Sequence, residues 1–279
     1  MKFKKIISQI FSLVFLASFM FLINSDVNAQ QVRGRSTDAG VLYYYTSTGR
    51  IVVAHADIVF DEEFLASTLN TAYWDTVGNS ASGAVVSFPD TTGGVMTVTT
   101  GGADNDDFEI GTDNQLYLAS NPIGFEATIR IDDVSGTSFF VGFADSGSYA
   151  SADSIAFGVS TTTVVKAGGV SNAVGFVYDP DATTDYVYGI NANAGTSGSL
   201  QSATVTANNT TPTDFSVVTL RCEIDRNQKA EFFVNGKTLG TTTSAVASTA
   251  KLHLYFGVIN REGSANTIDI GRFVSWGQR

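Results

Sequence analysis

The chain has 279 residues, of which 16 are basic and 27 acidic, giving a net charge of −11, with two histidines and one cysteine. That length allows one large or two small domains. A surface this acidic excludes nucleic acid as a partner, because phosphate recognition needs a basic stripe. A single cysteine excludes an intrachain disulfide.

Residues 1–29 read as a secretory signal peptide. Lys2, Lys4 and Lys5 form a basic start, an apolar run extends from Ile6 to Ile23, and Val27-Asn28-Ala29 offers a small-residue cleavage site. The alternative is an uncleaved membrane anchor, against which Ser8, Gln9, Ser12 and Ser18 interrupt the run. Cleavage after Ala29 removes three lysines and Asp26, leaving 13 basic and 26 acidic residues and a net charge near −13. The expected location is secreted, periplasmic or extracellular, with no membrane association once the signal is removed. Absent disulfides point to a bacterial or phage-encoded product; otherwise the overlapping sequons at Asn208 and Asn209 would matter.

Beyond Ala29, Gly, Thr, Ser, Val, Ala and Phe dominate, and apolar residues recur with period two. Residues 30–55 are expected to form an N-terminal arm or extra hairpin, with VLYYYT (41–46) and the start of RIVVAHADIV (50–59) flanking Ser47-Thr48-Gly49. EEFLASTLNTAY (62–73) has the nearest approach to helical spacing and is assigned a turn or two of helix. Strands are then predicted at GVMTVTT (94–100), GFEATIRI (124–131), SFFVGFA (138–144) and AVGFVYD (173–179). They continue at VVTLRCEID (217–225), AEFFVN (230–235), KLHLYFGVI (251–259) and TIDIGRFVSW (267–276). The stretch 191–214 reads as a long loop or irregular hairpin. Short strands punctuated by Gly, Asn, Asp and Ser predict an all-β antiparallel sandwich or jelly roll, one domain over 56–279.

The segment 217–241 is the clearest. Val218, Leu220, Cys222 and Ile224 share one face of a strand, and Ala230, Phe232 and Val234 share one face of the next. The polar break 226–229 joins them, and Asn235-Gly236 supplies the positive-φ positions of a following tight turn. Cys222 then reads as a buried, inert thiol. Trp276 shares parity with Ile268, Ile270 and Val274 and is assigned to the core.

FVNGKTLGT after VVTLRCEID resembles the late hairpin of concanavalin A-like lectin/glucanase sandwiches, including laminin G-like modules. VFDEEFLASTLNTAYWDTVG (59–78) is similar to the entry segment of such domains, and GGVMTVTTG, GFEATIRI, FFVGFAD and TIDIGRFVSW fall in the expected order. The closer likeness is to uncharacterised phage and marine bacterial members of that class. The resemblance implies a concanavalin A-like jelly roll, a fold that hosts lectins, adhesive modules, glycan hydrolases and lyases, and structural domains. Function must therefore be argued from the site.

The glucanases of this class carry Glu-x-Asp-x-Glu on one strand, which places nucleophile and acid/base on one face. EID (223–225) and DEE (61–63) come nearest, and neither has a third carboxylate in step. Glu223 and Glu231 face each other across a hairpin, as ordinary strand carboxylates do. His55 and His253 are far apart, and no Gly-x-Ser-x-Gly elbow, metal-ligand spacing or phosphate loop is present. The expectation is a non-enzyme.

Alternation turns His253 and Tyr255 outward, with Arg221, Glu223, Glu231 and Phe233 outward on the hairpin and Glu126, Thr128 and Arg130 outward on 124–131. If these strands share a sheet, aromatic rings beside carboxylates and guanidinium groups form a candidate sugar-binding face. The alternative is a polar outer face with cross-strand ion pairs. In GGADNDDFEIG (101–111), Asp104, Asp106 and Asp107 are candidate calcium ligands. The leading expectation is a secreted, non-catalytic module for glycan binding or surface adhesion, with a polysaccharide or cell-surface glycan as partner. The alternatives are a structural subunit of a virion or surface layer that self-associates through residues 30–55, where Tyr43, Tyr44 and Tyr45 could pair with a neighbouring sheet edge, and a glycan hydrolase or lyase.

Overall fold

The structure is a computed structural model that describes residues 33–36, 42–45, 51–53, 58–78, 83–89, 94–113, 117–146, 155–167, 169–197, 201–202 and 212–277. The segment read as a signal peptide and the two sequons lie outside the described residues. The chain divides into two units, a small one containing residues 41–55 and a large one containing residues 56–279. In the small unit β1 (Arg33–Ser36), β2 (Leu42–Tyr45) and β3 (Ile51–Val53) form a three-stranded antiparallel sheet.

The large unit begins with β4 (Ile58–Glu62), β5 (Trp74–Gly78), β6 (Val85–Ser87), β7 (Met96–Thr99), β8 (Asp107–Thr112) and β9 (Tyr117–Leu118). It continues with β10 (Ile123–Ile131), β11 (Thr137–Ala144), β12 (Phe157–Ser160), β13 (Thr163–Lys166), β14 (Ala173–Tyr178) and β15 (Tyr188–Asn193). After the short β16 (Thr196–Ser197) and β17 (Gln201–Ser202) come β18 (Val217–Ile224), β19 (Ala230–Val234), β20 (Lys237–Thr242), β21 (Lys251–Asn260) and β22 (Thr267–Gly277). Among the described residues there is no helix. The expected helical turns at 62–73 are instead bends and turns, entered through Phe64 at φ 50° with its N–H donating to Glu62 Oε1 at 2.9 Å.

Two sheets form the sandwich. The eight-stranded sheet has the order β20-β19-β18-β10-β22-β7-β6, with β4 also on β22. The nine-stranded sheet has the order β16-β15-β14-β11-β21-β8-β5, with β17 on β15 and β9 on β21. Alternation fills the space between them. Phe125 of β10 lies edge-on to Phe143 of β11, Phe176 of β14 and Phe273 of β22, with centroids 5.4, 6.1 and 6.0 Å away. Such edge-to-face pairs add about 0.5–1.5 kcal/mol each beyond area burial.

The hairpin read from sequence forms in that register. Leu220 faces Val234, Cys222 faces Phe232 and Ile224 faces Ala230, all buried. Asp225 Oδ1 accepts from the N–H groups of Asn227 and Lys229 in the polar break, and Asn235 and Gly236 take φ of 50° and 75°. Burial pushes the Cys222 thiol well above its ordinary pKa, in keeping with an inert role.

Two sequence expectations are corrected and a third is met in part. The acidic stretch 101–111 is only half loop, because residues 107–111 belong to β8. The stretch 191–214 opens inside β15 and turns back into β16 as a hairpin, and its residues 198–200 and 203–211 lie outside the description. Trp276 is buried but on the opposite face from Ile268 and Ile270. Thr128 pairs with Arg272 and Ile129 with Ile270, so Gly271 is an extra residue that reverses the parity of everything after it. Phe273 and Ser275 therefore point inward, the latter 2.5 Å from the buried Tyr117 hydroxyl. Trp276 lies across Gly124, where an added Cβ would sit 2.5 Å from the indole.

Gly124→Val is thus expected to cost about 1–3 kcal/mol by overpacking. Gly271→Ala, whose Cβ meets nothing closer than 3.9 Å, should stay within about 1 kcal/mol of the parent. Urea denaturation midpoints measure both, and equal losses would mean that the indole does not occupy this place.

Candidate functional site

The outward residues predicted to form one face fall on two sheets. Glu126, Arg221, Glu223, Glu231 and Phe233 do come together on the eight-stranded sheet, where Glu126 faces Arg221, Arg221 faces Phe233 and Glu223 faces Glu231. Arg221 stacks over the Phe233 ring at 4.2 Å and its Nε lies 3.4 Å from Glu223 Oε1. Arg221 and Glu223 are only 6% and 5% exposed. The Thr238 hydroxyl donates to Glu231 at 3.4 Å. Arg130 stands further along, where its Nε donates to Asp269 Oδ2 at 2.8 Å. The Arg221–Glu223 pair runs along β18, and the Arg130–Asp269 pair crosses from β10 to β22.

His253 and Tyr255 point outward, as alternation requires, but from β21 in the nine-stranded sheet. They cannot share a face with the Arg221 group. Nor are they open to solvent, because a second hydrophobic core covers this outer face. Phe140, Val177, Ile190, Tyr255 and Ile259 of the sheet pack against Ile155, Phe157, Val159 and Val170 of the overlying β12–β13 hairpin and its flanks. Gly142 and Gly175 face each other across β11 and β14, where a Cβ on either would meet backbone within 2.3 Å. The Tyr255 hydroxyl donates to Glu109 Oε1 at 2.5 Å and accepts from Ala156 N–H at 3.2 Å. His253 Nδ1 lies 2.6 Å from the Thr112 carbonyl oxygen, which can only accept, so that nitrogen carries the proton.

Asp107 and Glu109 alternate outward on β8 beneath this layer, opposite Ile259 and Gly257, and each is 2% exposed. The sequence signal for them was the period-two run Asp-Phe-Glu-Ile, hidden inside an acidic loop. Two carboxylates are in step there, but Asn105 stands where the glucanase pattern has its first glutamate. The three residues named for calcium stand in different settings: Asp107 is buried on β8 beneath the covering layer, Asp106 Oδ2 accepts from Ala103 N–H at 2.8 Å, and Asp104 is exposed. Among the described residues no group of three or more His, Cys, Asp or Glu is placed to hold a metal ion.

A cleft of about 370 Å³ opens where the β12–β13 hairpin meets the end of β21. Ile155, Val159, Val165 and Ile259 supply apolar wall, and Ser160, Lys166, Asp181 and Arg261 supply the polar groups. Arg261 grips the fully buried Asp179 with two parallel bonds, Nε to Oδ1 at 3.1 Å and Nη2 to Oδ2 at 2.7 Å. Asp179 also accepts from the N–H groups of Val159 and Asp181. Gly158 leaves room for this pair, since a Cβ would sit 3.0 Å from both partners. Arg261 Nη1 donates to Asn105 Oδ1 at 2.7 Å, and Lys166 Nζ donates to the carbonyls of Val170 at 2.7 Å and Ala167 at 3.3 Å. Sequence reasoning missed all of these residues, because β12 and β13 are four residues each and weakly patterned.

Two antiparallel sheets enclosing one aromatic core, with an early strand and the last strand paired in the same sheet, define a concanavalin A-like jelly roll. Solved structures of that fold are similar over most of the chain. Lectin II from Ulex europaeus matches with a TM-score of 0.51 and 15% identity, covering 81% of this chain and 100% of that one. The Bacillus licheniformis β-glucanase gives 0.51 and 14%, covering 79% and 98%. A structure described under endo-acting O-glycanases by which human gut microbiota initiate mucin breakdown gives 0.53 and 9%, covering 79% and 99%. At these identities the likeness is one of fold. No protein-family model and no curated protein matches the chain.

Two outcomes follow from the site geometry. Tyr255→Phe removes a hydroxyl that is buried between Glu109 and Ala156 N–H, and is expected to cost about 1–3 kcal/mol in denaturant unfolding. No loss would show that these contacts are not made. Burial also raises the Glu126 carboxyl above its ordinary pKa, against the opposing pull of Arg221 and Arg272. Ionising Glu126 therefore opposes folding: its favourable contribution is complete below the unfolded-state value and is lost as pH rises through the folded one. Glu126→Gln should be more stable than the parent near pH 7 and level with it at about pH 3.5, and a parent that is the more stable at pH 7 would reverse the sign.

Proposed function

We propose that the protein is a secreted, non-catalytic glycan-binding module whose site is the cleft beneath the β12–β13 hairpin. The observation that carries this reading is the cleft itself. Its volume of about 370 Å³ lies within the range of small-ligand pockets, and it has the usual make-up of apolar walls with a few fixed polar groups. The fold is one that lectins and glycan hydrolases share. Secretion is supported by the pattern of residues 1–29.

Glycoside hydrolysis needs two carboxyl groups flanking one bond, about 5–9.5 Å apart. Of the carboxylates near the cleft, Asp179 is held by Arg261 and two N–H groups, and Asp107 and Glu109 are sealed beneath the second core. Asp181, with its side chain 56% exposed, lines the cleft as an acceptor for hydroxyl groups.

The test is a polysaccharide and glycan-array screen of the parent, Val165→Arg and Glu231→Gln. Val165 is an exposed wall residue, so arginine there fills the cleft without disturbing a core. Specific binding is expected in the parent and in Glu231→Gln, and about tenfold or weaker binding in Val165→Arg. Loss in Glu231→Gln alone would move the site to the eight-stranded sheet. Silence across a broad panel from folded protein would favour a structural subunit, and release of reducing ends would overturn the non-catalytic reading.

A further inference from the structure

We infer that the cleft selects a sugar residue bearing an anionic group, a carboxylate or a sulfate, over a neutral one. This rests on the reading of the cleft as a glycan site. The chain carries a net charge of −11 and only 16 basic residues, yet two of them line this one cleft. Arg261 balances Asp179 and lies 3.6 Å from Asp181 Oδ2, so the uncompensated charge in the cleft is that of Lys166. Lys166 is partly buried and is held by the carbonyls of Val170 and Ala167, and among the described residues it makes no ion pair. Two carbonyls orient the ammonium without neutralising it, and one of its three N–H groups is left over.

Arg261 is the second donor. Its Nε and Nη2 go to Asp179 and its Nη1 to Asn105, which uses three of five N–H groups. The remaining two belong to Nη1 and Nη2, either of which can donate to an oxygen of a carboxylate or sulfate. Asp179 fixes the plane of the guanidinium, so little side-chain entropy is left to lose on binding. The apolar wall of Ile155, Val159, Val165 and Ile259 lowers the local dielectric and strengthens any ion pair formed there. Ser160 remains for a hydroxyl group of the same sugar ring, and Asp181, though paired with Arg261 at 3.6 Å, keeps acceptor capacity for another.

The experiment is calorimetric titration of the full-length protein with three oligosaccharides of equal length: a uronic-acid oligomer, its carboxyl-reduced neutral counterpart, and a sulfated neutral oligomer. The parent is compared with Lys166→Gln, Lys166→Arg and Val165→Arg, and thermal unfolding midpoints confirm that each variant is folded. At least one anionic oligomer should bind about tenfold or more tightly than the neutral one. Which of the two binds distinguishes carboxylate from sulfate. Lys166→Gln should remove that preference, and Lys166→Arg should keep most of it. Equal binding of neutral and anionic oligomers, still abolished by Val165→Arg, would overturn the charge selectivity and leave the glycan site standing. An anionic preference untouched by Lys166→Gln would overturn the role of Lys166. No binding by any oligomer to folded protein would overturn both readings.

Discussion

The central strands of the nine-stranded sheet, β8, β11 and β14, are buried on both faces, and most of what is particular to this molecule follows from that. A sheet sealed on one side reads as alternating apolar and polar residues, and a sheet sealed on both must be apolar almost throughout. Every position of β11 and of β14 is buried. On the inner side Phe139, Val141 and Phe143 meet the eight-stranded sheet; on the outer side Phe140 and Ala144 meet the β12–β13 layer. A strand so enclosed has no room for large side chains on both sides of every neighbour, which is why glycines 142, 175 and 257 recur on the outer face, each against backbone or side chain closer than a Cβ tolerates.

Covering a sheet with a short hairpin requires the hairpin to be fastened, since among the described residues β12 and β13 pair only with each other. Part of the fastening is apolar, with Phe157 against Phe140 at 5.1 Å. Part is polar and centred on Asp179. That carboxylate receives Arg261 from the end of β21 and the Val159 N–H from β12, so one buried anion ties the cover to the sheet. A further stitch runs alongside, from Thr161 N–H to the Asp181 carbonyl and from Thr183 N–H to the Thr161 carbonyl, each at 2.7 Å. A buried ion pair is costly unless its geometry is good and its remaining hydrogen-bonding capacity is used. Here the Arg261–Asp179 fork is bidentate, and the further bonds to Val159, Asp181 and Asn105 use capacity on both partners.

Local pattern carried far in this chain and stopped where a third layer began. The runs at 124–131, 138–144, 173–179, 217–225, 230–235 and 251–259 became strands within a residue or two of their expected ends, because period two is a property of the strand itself. The 217–242 hairpin was legible to the pairing of individual residues. The sheet to which a strand belongs was not legible, and so Tyr255 and Arg221 seemed to share a face. Tyr255 does point outward, but the residues that cover it come from 155–170, about 100 positions away in sequence. Trp276 went to the other face because one extra residue at Gly271 reverses a count that nothing local announces. The cleft was invisible for the same reason as the cover, since its walls and donors come from 155–167, Asp181 and 259–261, which are joined only by the tertiary fold.

The sealed face also bears on what the molecule is proposed to do. A jelly-roll face that cleaves a polysaccharide has to stay open along a groove, with its carboxylates able to reach both sides of the scissile bond. Here the corresponding alternation on β8, Asp107 and Glu109, lies under a second core, and Tyr255 occupies Glu109 at 2.5 Å. Carboxylates in that setting support the layer above them. The layer in turn creates a new edge, and at that edge its backbone carbonyls aim Lys166 into the space while the buried anion beneath aims Arg261. On this reading the covering hairpin does two things with one set of contacts: it closes the face on which hydrolysis would occur, and it builds a smaller, charged cleft at the margin where a single sugar residue is held.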